Sequence, residues 1–191
     1  MIMANIASVS YAIEGSKETL QKINEAIVVA VNSDDKRYEL YQAAEYLKLP
    51  IKNDTRLGGE IEEEPTWDEN TGALRFWSEE RWGLQDFAEL LEKQFPDVKV
   101  YWIVEESGCE VYCTNDKEGK YFPERYWVDT AIDDIYNSEY FETEEQVYKW
   151  LDKLTHGRVK SEEDVEKFNS DYEDSGTDDE NFIYIHEFEV E

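Results

Sequence analysis

Basic residues, histidine, cysteine and long apolar runs are all scarce in this chain, and each scarcity removes a class of function. The 19 Lys and Arg stand against 47 Asp and Glu in 191 residues, a formal net charge of −28. Repulsion of that size opposes direct binding of nucleic acid or of an anionic membrane and favours a cationic partner. Only His156 and His186 could serve as an imidazole base, and nothing in the spacing brings either beside a nucleophile. The two cysteines, Cys109 and Cys113, fall four apart in an expected strand, which separates their α-carbons by roughly 13 Å at about 3.3 Å per residue. They cannot pair there, and a free-thiol, cytoplasmic protein is the expectation. The longest apolar run, Ala26 to Val31, is too short to span a bilayer, and no basic segment at the start suggests a secretory signal. No Cys/His spacing suits zinc, and no glycine-rich loop with a lysine cradles phosphate, so no metal or cofactor is expected.

Aromatic residues, by contrast, are abundant. Six Trp, 13 Tyr and 8 Phe, with 40% hydrophobic content, argue for a packed core despite the charge. The charge is also uneven. Residues 1–58 carry 8 acids and 7 bases, while residues 59–191 carry 39 acids and 12 bases. The last two thirds is therefore an anionic body, which serves either recognition of a cationic partner or the solubility of an aromatic-rich protein.

Periodicity orders the elements around the stretch Arg81 to Glu106. Leu84, Phe87, Ala88, Leu91 and Phe95 make an amphipathic helix, Pro96 ends it, and Val98 to Val104 follow as a strand. Earlier, Ile6 to Glu14 alternates as a first strand and Ser16 caps a helix with its stripe at Leu20, Ile23, Ile27 and Val31. Asn32 to Asp35 breaks that pattern and caps a short helix carrying Tyr38, Tyr41, Ala44 and Leu47, stopped by Pro50. Glu60–Trp67 and Ala73–Trp82 read as two strands joined by a turn at Asp68–Gly72. The order is α+β and ferredoxin-like, an antiparallel sheet with its helices on one face. We expect a single domain over 1–191 with an inserted helix at about 35–49 and a C-terminal elaboration at about 130–191. Further strands are expected at Cys109–Thr114 and Lys120–Asp129. Thr143 with Gln146 forms a capping box for a helix with Val147, Trp150, Leu151 and Leu154, and Ser161 caps a last helix with Val165 and Phe168. An acidic connector over Asp171–Asn181, expected to be mobile, leads to a terminal strand in which Phe182, Tyr184, His186 and Phe188 oppose Ile183, Ile185 and Val190.

The series Trp82, Phe87, Leu90, Phe95-Pro96, Tyr101, Glu105, Gly108 and Gly119, with Asn5, Gly15 and Leu20 before it, resembles the ferredoxin-like domain of YubB-like proteins. That family comprises plasmid- and phage-associated proteins of unknown function. The likeness covers about the middle third of the chain, and the family's Pro-Asn-Trp-Cys opening is replaced here by Ala4-Asn5-Ile6-Ala7. It implies a cytoplasmic protein linked to mobile elements.

Three groups of acids invite a functional reading. Glu105 and Glu106 end the central strand on opposite faces and read as a solvated turn before Gly108. Asp171, Glu173, Ser175, Gly176 and Asp179 fit an EF-hand register, but the twelfth position is Phe182 where a glutamate is needed, so a polar connector is the better reading. The third group is the candidate partner-binding site, Glu60, Glu62 and Glu64. On a strand these share one face at roughly 6.7 Å intervals. Such a row either imitates a phosphate backbone before a basic nucleic-acid-binding protein or protects an edge strand from aggregation. The expected function is a non-enzymatic, cytoplasmic binding protein, with an enzyme or small-molecule binder beside the free sheet face as the alternative.

Overall fold

The computed structural model describes residues 5–33, 38–173 and 181–191. Where one body was expected, the chain divides into two compact units, one of residues 1–122 with 190–191 and one of residues 123–189. The reason is that the apolar residues form separate buried clusters, each with its own sheet and helices. Both units are mixed α and β, and their strand pairings are mostly antiparallel. Among the described residues, no helix is long and apolar enough to cross a membrane.

The first unit opens with β1 (Ile6–Glu14), α1 (Lys17–Val31) and α2 (Glu39–Tyr46). Next come β2 (Gly59–Ile61), β3 (Thr66–Trp67), β4 (Leu74–Arg81), α3 (Phe87–Gln94), β5 (Lys99–Glu106) and β6 (Val111–Thr114). The strands lie in the order β10-β6-β5-β1-β4-β2, with β3 also on β4 and with β10 (Glu189–Val190) supplied by the end of the chain. Alternation sets the core face. Tyr11 lies between Phe76 of β4 and Trp102 of β5, and Ile13 between Leu74 and Val100. Leu20, Ile23 and Ile27 of α1, Leu40 and Ala43 of α2, and Phe87 and Leu91 of α3 join that cluster. Phe76 stacks on Tyr11 at 4.7 Å and meets the Phe87 ring edge-on at 6.2 Å.

Local signals account for most of the helix ends. Ser16 caps α1 by accepting from the Thr19 amide at 3.2 Å. Helix α2 ends ahead of Pro50, at Leu47, with Lys48 in the left-handed region (φ 55°). The expected caps at Asp34 and Asp35 lie outside the described residues.

The second unit is a three-stranded sheet in the order β8-β7-β9, with β7 Tyr126–Ile132, β8 Ile135–Phe141 and β9 Phe182–Glu187. Helices α4 (Glu144–Leu154) and α5 (Glu162–Glu173) pack against its inner face through Val147, Leu151, Val165 and Phe168. The capping box of Thr143 and Gln146 is present, and Ser161 Oγ accepts from the Asp164 amide at 3.3 Å. The strand expected at Lys120–Asp129 starts later and pairs with β8 and β9, because Asp133 and Asp134 (φ 52° and 63°) close a two-residue hairpin that favours positive φ. Asp171 to Glu173, expected in a mobile connector, are the last turn of α5. Ser175, Gly176 and Asp179 of the calcium-loop register lie outside the described residues.

Candidate functional site

The acidic edge is where the expected geometry changes most. Strand β2 does end the sheet, but it stops at Ile61, so Glu62 and Glu64 leave the strand and the regular row of three carboxylates is not formed. Ile61 pairs with Ser78 and Thr66 with Arg75, so the four residues 62–65 stand opposite only Phe76 and Trp77. This two-residue bulge contains Pro65, which has no amide hydrogen to give the ladder. Glu60 faces Glu79 across the pair, a like-charge contact that Arg81 relieves through an ion pair to Glu60 at 3.3 Å. Glu64 accepts from Asn32 Nδ2 at 3.1 Å. Glu62 is exposed on the bulge, and its carboxyl is held above the ordinary range by partial desolvation and then by the charges of Glu79, Glu60, Glu39 and Glu63. The three acids follow one another along the edge segment, but not as a straight row, and the Glu60 charge acts on Glu62.

Strand β2 is held from beneath by α2. The Ile61 amide donates to Glu39 Oε2 at 2.5 Å, and Gly59 packs so closely on α2 that a Cβ there would lie 2.6 Å from Leu40 Cδ1. A larger residue there would force the Leu40 side chain to move.

Next to it, on the core face of β4, lies a buried polar network that the sequence reading missed. Glu80 Oε1 accepts from Tyr11 Oη at 2.5 Å and from Ser78 Oγ at 2.8 Å, while Oε2 accepts from the Gln85 amide at 2.6 Å. Gln85 in turn accepts from the Gly58 amide at 2.9 Å and donates to the carbonyls of Arg81 and Gly83. Burial raises the Glu80 pKa, although the three donors pull it back, and burial followed by the Glu80 charge lifts the Tyr11 phenol well above its usual value. With Glu80 and Ser78 at 0% exposure, no substrate reaches this carboxylate, and its work is to tie β1, β4 and the β4–α3 turn together. The signal was available, since Ser78 and Glu80 continue the inward phase of Leu74 and Phe76.

The second face of this sheet is partly covered. Asn115 clamps β5 by accepting from the Trp102 amide at 2.7 Å and donating to the Val100 carbonyl at 2.9 Å. Asp116 Oδ2 accepts from the amides of Tyr121 and Phe122 at 2.6 and 3.0 Å. That loop delivers Lys120 and the Tyr121 hydroxyl to Glu14. Burial works against the Glu14 charge, but the bonds from Lys120, Tyr121 and Tyr101 hold its carboxyl below the usual range. Beside this cover a cavity of about 170 Å³ is lined by Ser10, Glu64, Arg75 and Trp77 among others. This is smaller than the roughly 300–1,000 Å³ of small-molecule sites.

The two thiols lie in the first unit and the two imidazoles in the second. Cys109 lies in a one-turn 3-10 helix at Ser107–Cys109 and accepts from Asn5 Nδ2 at 2.6 Å, so it does not share a strand with Cys113. Neither is in a disulfide, and both belong to the first unit, whereas His186 belongs to the second. His156 sits two residues beyond the end of α4, in the left-handed region (φ 54°). Glu105 and Glu106 do point to opposite faces, with Glu106 buried. Among the described residues, no group of three His, Cys, Asp or Glu side chains is placed to hold a metal ion.

In the second unit the outer face of β8-β7-β9 gathers rings. The register lays three rows across it: Tyr140, Trp127 and His186; Ser138, Asp129 and Tyr184; Tyr136, Ala131 and Phe182. Trp127 stacks on His186 at 5.0 Å, Phe182 stacks on Tyr184 at 4.9 Å, and Tyr136 meets Phe182 at 6.3 Å across the small Ala131, which is thereby buried. Tyr136, Tyr140 and Tyr184 are nonetheless 61%, 43% and 52% exposed. The β9 half of this face was legible from alternation. The β8 half was not, because the Asp133–Asp134 hairpin was unread.

Compared with protein-family models, with curated proteins and with solved structures, the chain matches none.

Proposed function

We propose that this chain is a cytoplasmic binding protein whose acidic surface engages a basic protein partner by occupying that partner's nucleic-acid-binding surface. The observation that carries this reading is the charge excess: even with every Lys and Arg paired, 28 carboxylates have no base to match them. Some bases are already committed within the fold, as Arg81 is to Glu60, Lys120 to Glu14 and Lys160 to Asp152. The excess acids therefore present a field that attracts cationic partners and repels nucleic acid. Cys109 and Cys113 outside any disulfide fit a reducing compartment. A ferredoxin-like reading of the first unit is supported by the order β5-β1-β4-β2, with α1 following β1 and α3 following β4. On that reading the unit is akin to YubB-like domains.

The bulge supplies three consecutive exposed acids, Glu62, Glu63 and Glu64. The immobilised protein should capture a basic, nucleic-acid-binding protein from cytoplasmic extract, and duplex DNA should compete for it with strong salt dependence. Replacing Glu62, Glu63 and Glu64 with Lys should weaken capture without unfolding, because they sit outside the core. Recovery of no basic protein, or direct binding of DNA by this chain, would overturn the reading.

A further inference from the structure

The ring-bearing face of β8-β7-β9 is chemically unlike the rest of the surface. Five aromatic rings and one imidazole occupy six of these nine positions, Asp129 carries their one charge, and none is Lys or Arg, the nearest in the strand's phase being Arg125, two residues before Trp127. Cross-strand neighbours on one face stand about 4.5–5.5 Å apart at Cβ. Asp129 therefore has Tyr184 directly beside it on β9, and Trp127 two residues before it on the same strand face. A carboxylate set among ring faces is the arrangement that a guanidinium satisfies best: its planar fork bonds the carboxylate while its face lies on the rings.

Charge decides among the occupants that rings could stack. The second unit carries 21 acidic and 6 basic residues. Nucleobases would bring phosphates into that field and lose affinity, whereas an arginine segment gains from it. Resting on the reading that the partner is a basic protein, we infer that this face is the docking surface for an arginine-bearing segment of that partner, with Asp129 the carboxylate that pairs the guanidinium and Tyr184 and Trp127 the rings it lies on. The class of partner is thereby narrowed to one that arginine, and not charge alone, makes recognisable.

Fluorescence anisotropy of a labelled (Arg-Gly-Ser)4 peptide on the full chain tests this, against (Lys-Gly-Ser)4, a twelve-residue oligothymidylate and cellohexaose as rival occupants. At about 0.15 M salt, where the Debye length is about 8 Å, the arginine peptide should bind several-fold more tightly than the lysine peptide. Tyr184→Ser and Asp129→Asn should each weaken the arginine peptide about tenfold and leave the lysine peptide much less affected. Both variants should keep their melting temperature, Tyr184 being half exposed and the Asn isosteric; if Tyr184→Ser unfolds, Tyr140→Ser is read in its place. Equal binding of the two peptides, insensitive to these substitutions, would overturn the inference while leaving the acidic-surface reading intact. Binding of neither peptide would overturn both. Saturable binding of the oligothymidylate or of cellohexaose, lost with Tyr184→Ser, would assign the face to another ligand and overturn it as well.

Discussion

Glu80→Ala is the sharpest perturbation of the fold. It removes the one acceptor shared by Tyr11 Oη, Ser78 Oγ and the Gln85 amide. All of these groups are buried, with Tyr11 at 1% and Gln85 at 4% exposure, so water cannot replace the lost carboxylate without opening the core. Each stranded donor costs about 1–3 kcal/mol, while release of the carboxylate's own desolvation offsets part of the sum. The expected net loss is about 3–5 kcal/mol, a large share of the roughly 5–15 kcal/mol available to a domain. Glu80→Gln should cost less, about 1–3 kcal/mol. Its amide oxygen can still accept from Tyr11 and Ser78, but its NH2 then meets the Gln85 N–H. Urea unfolding at neutral pH, followed by circular dichroism and tryptophan fluorescence, gives both values. A cycle with Tyr11→Phe should show coupling of about 1–3 kcal/mol between the pair. A loss below about 1 kcal/mol for Glu80→Ala, or strict additivity with Tyr11→Phe, would refute the idea that this network ties the sheet to the β4–α3 turn.

Other substitutions and conditions have equally definite outcomes. Leu91→Ala and Trp102→Ala should each lower the unfolding midpoint by an amount equivalent to about 2–5 kcal/mol, since both side chains lie in the first unit's core; an unchanged midpoint contradicts this. Gly59→Ala should destabilise by about 1–3 kcal/mol through the clash with Leu40 Cδ1, and Leu40→Ala in the same chain should recover part of that clash cost when compared with Leu40→Ala alone. Glu80 and Glu62 are held above the usual carboxylate range, so the stability they lend is present at low pH and is lost as pH rises through their folded values. Glu14, Asp68 and Asp97 are held below it, and their contribution is lost as pH falls through theirs. The melting temperature should therefore pass through a maximum with pH, falling on the alkaline side as Glu80 and Glu62 lose their protons and on the acid side as Glu14, Asp68 and Asp97 gain theirs; a melting temperature that never falls as pH rises contradicts the burial of Glu80. Raising salt from about 0.01 to 0.1 M shortens the Debye length from about 30 to about 10 Å, and most of the salt-dependent rise in melting temperature should fall in that interval.

What the sequence disclosed and what it concealed divides along locality. The caps at Ser16 and Thr143 and the stripes of α1 and α4 are set by residues within a turn or two of one another, and they stand as read. The strand phases of β1 and of the Phe182–His186 stretch follow from alternation alone. Pro65 was a visible breaker within the Glu60–Trp67 stretch, yet the two-residue bulge it accompanies appears only once the pairing with β4 is known. The Asp133–Asp134 hairpin was legible in principle, but aspartate pairs are so common here that the turn had no contrast. The division into two units depends on which apolar faces share a core, a long-range property that periodicity cannot supply. The Glu80 network needed both a strand phase and a partner 69 positions away at Tyr11.

The central claim, that the excess carboxylates recognise a basic partner in place of nucleic acid, is tested most directly by competition. A labelled DNA duplex held by the captured basic protein is titrated with this chain and followed by fluorescence anisotropy. The anisotropy should fall to that of free duplex, with the midpoint moving to higher concentration of this chain when Glu62, Glu63 and Glu64 are replaced by Lys. Anisotropy that stays at the bound value at saturation, or rises as this chain joins the duplex and its protein in one complex, would contradict it.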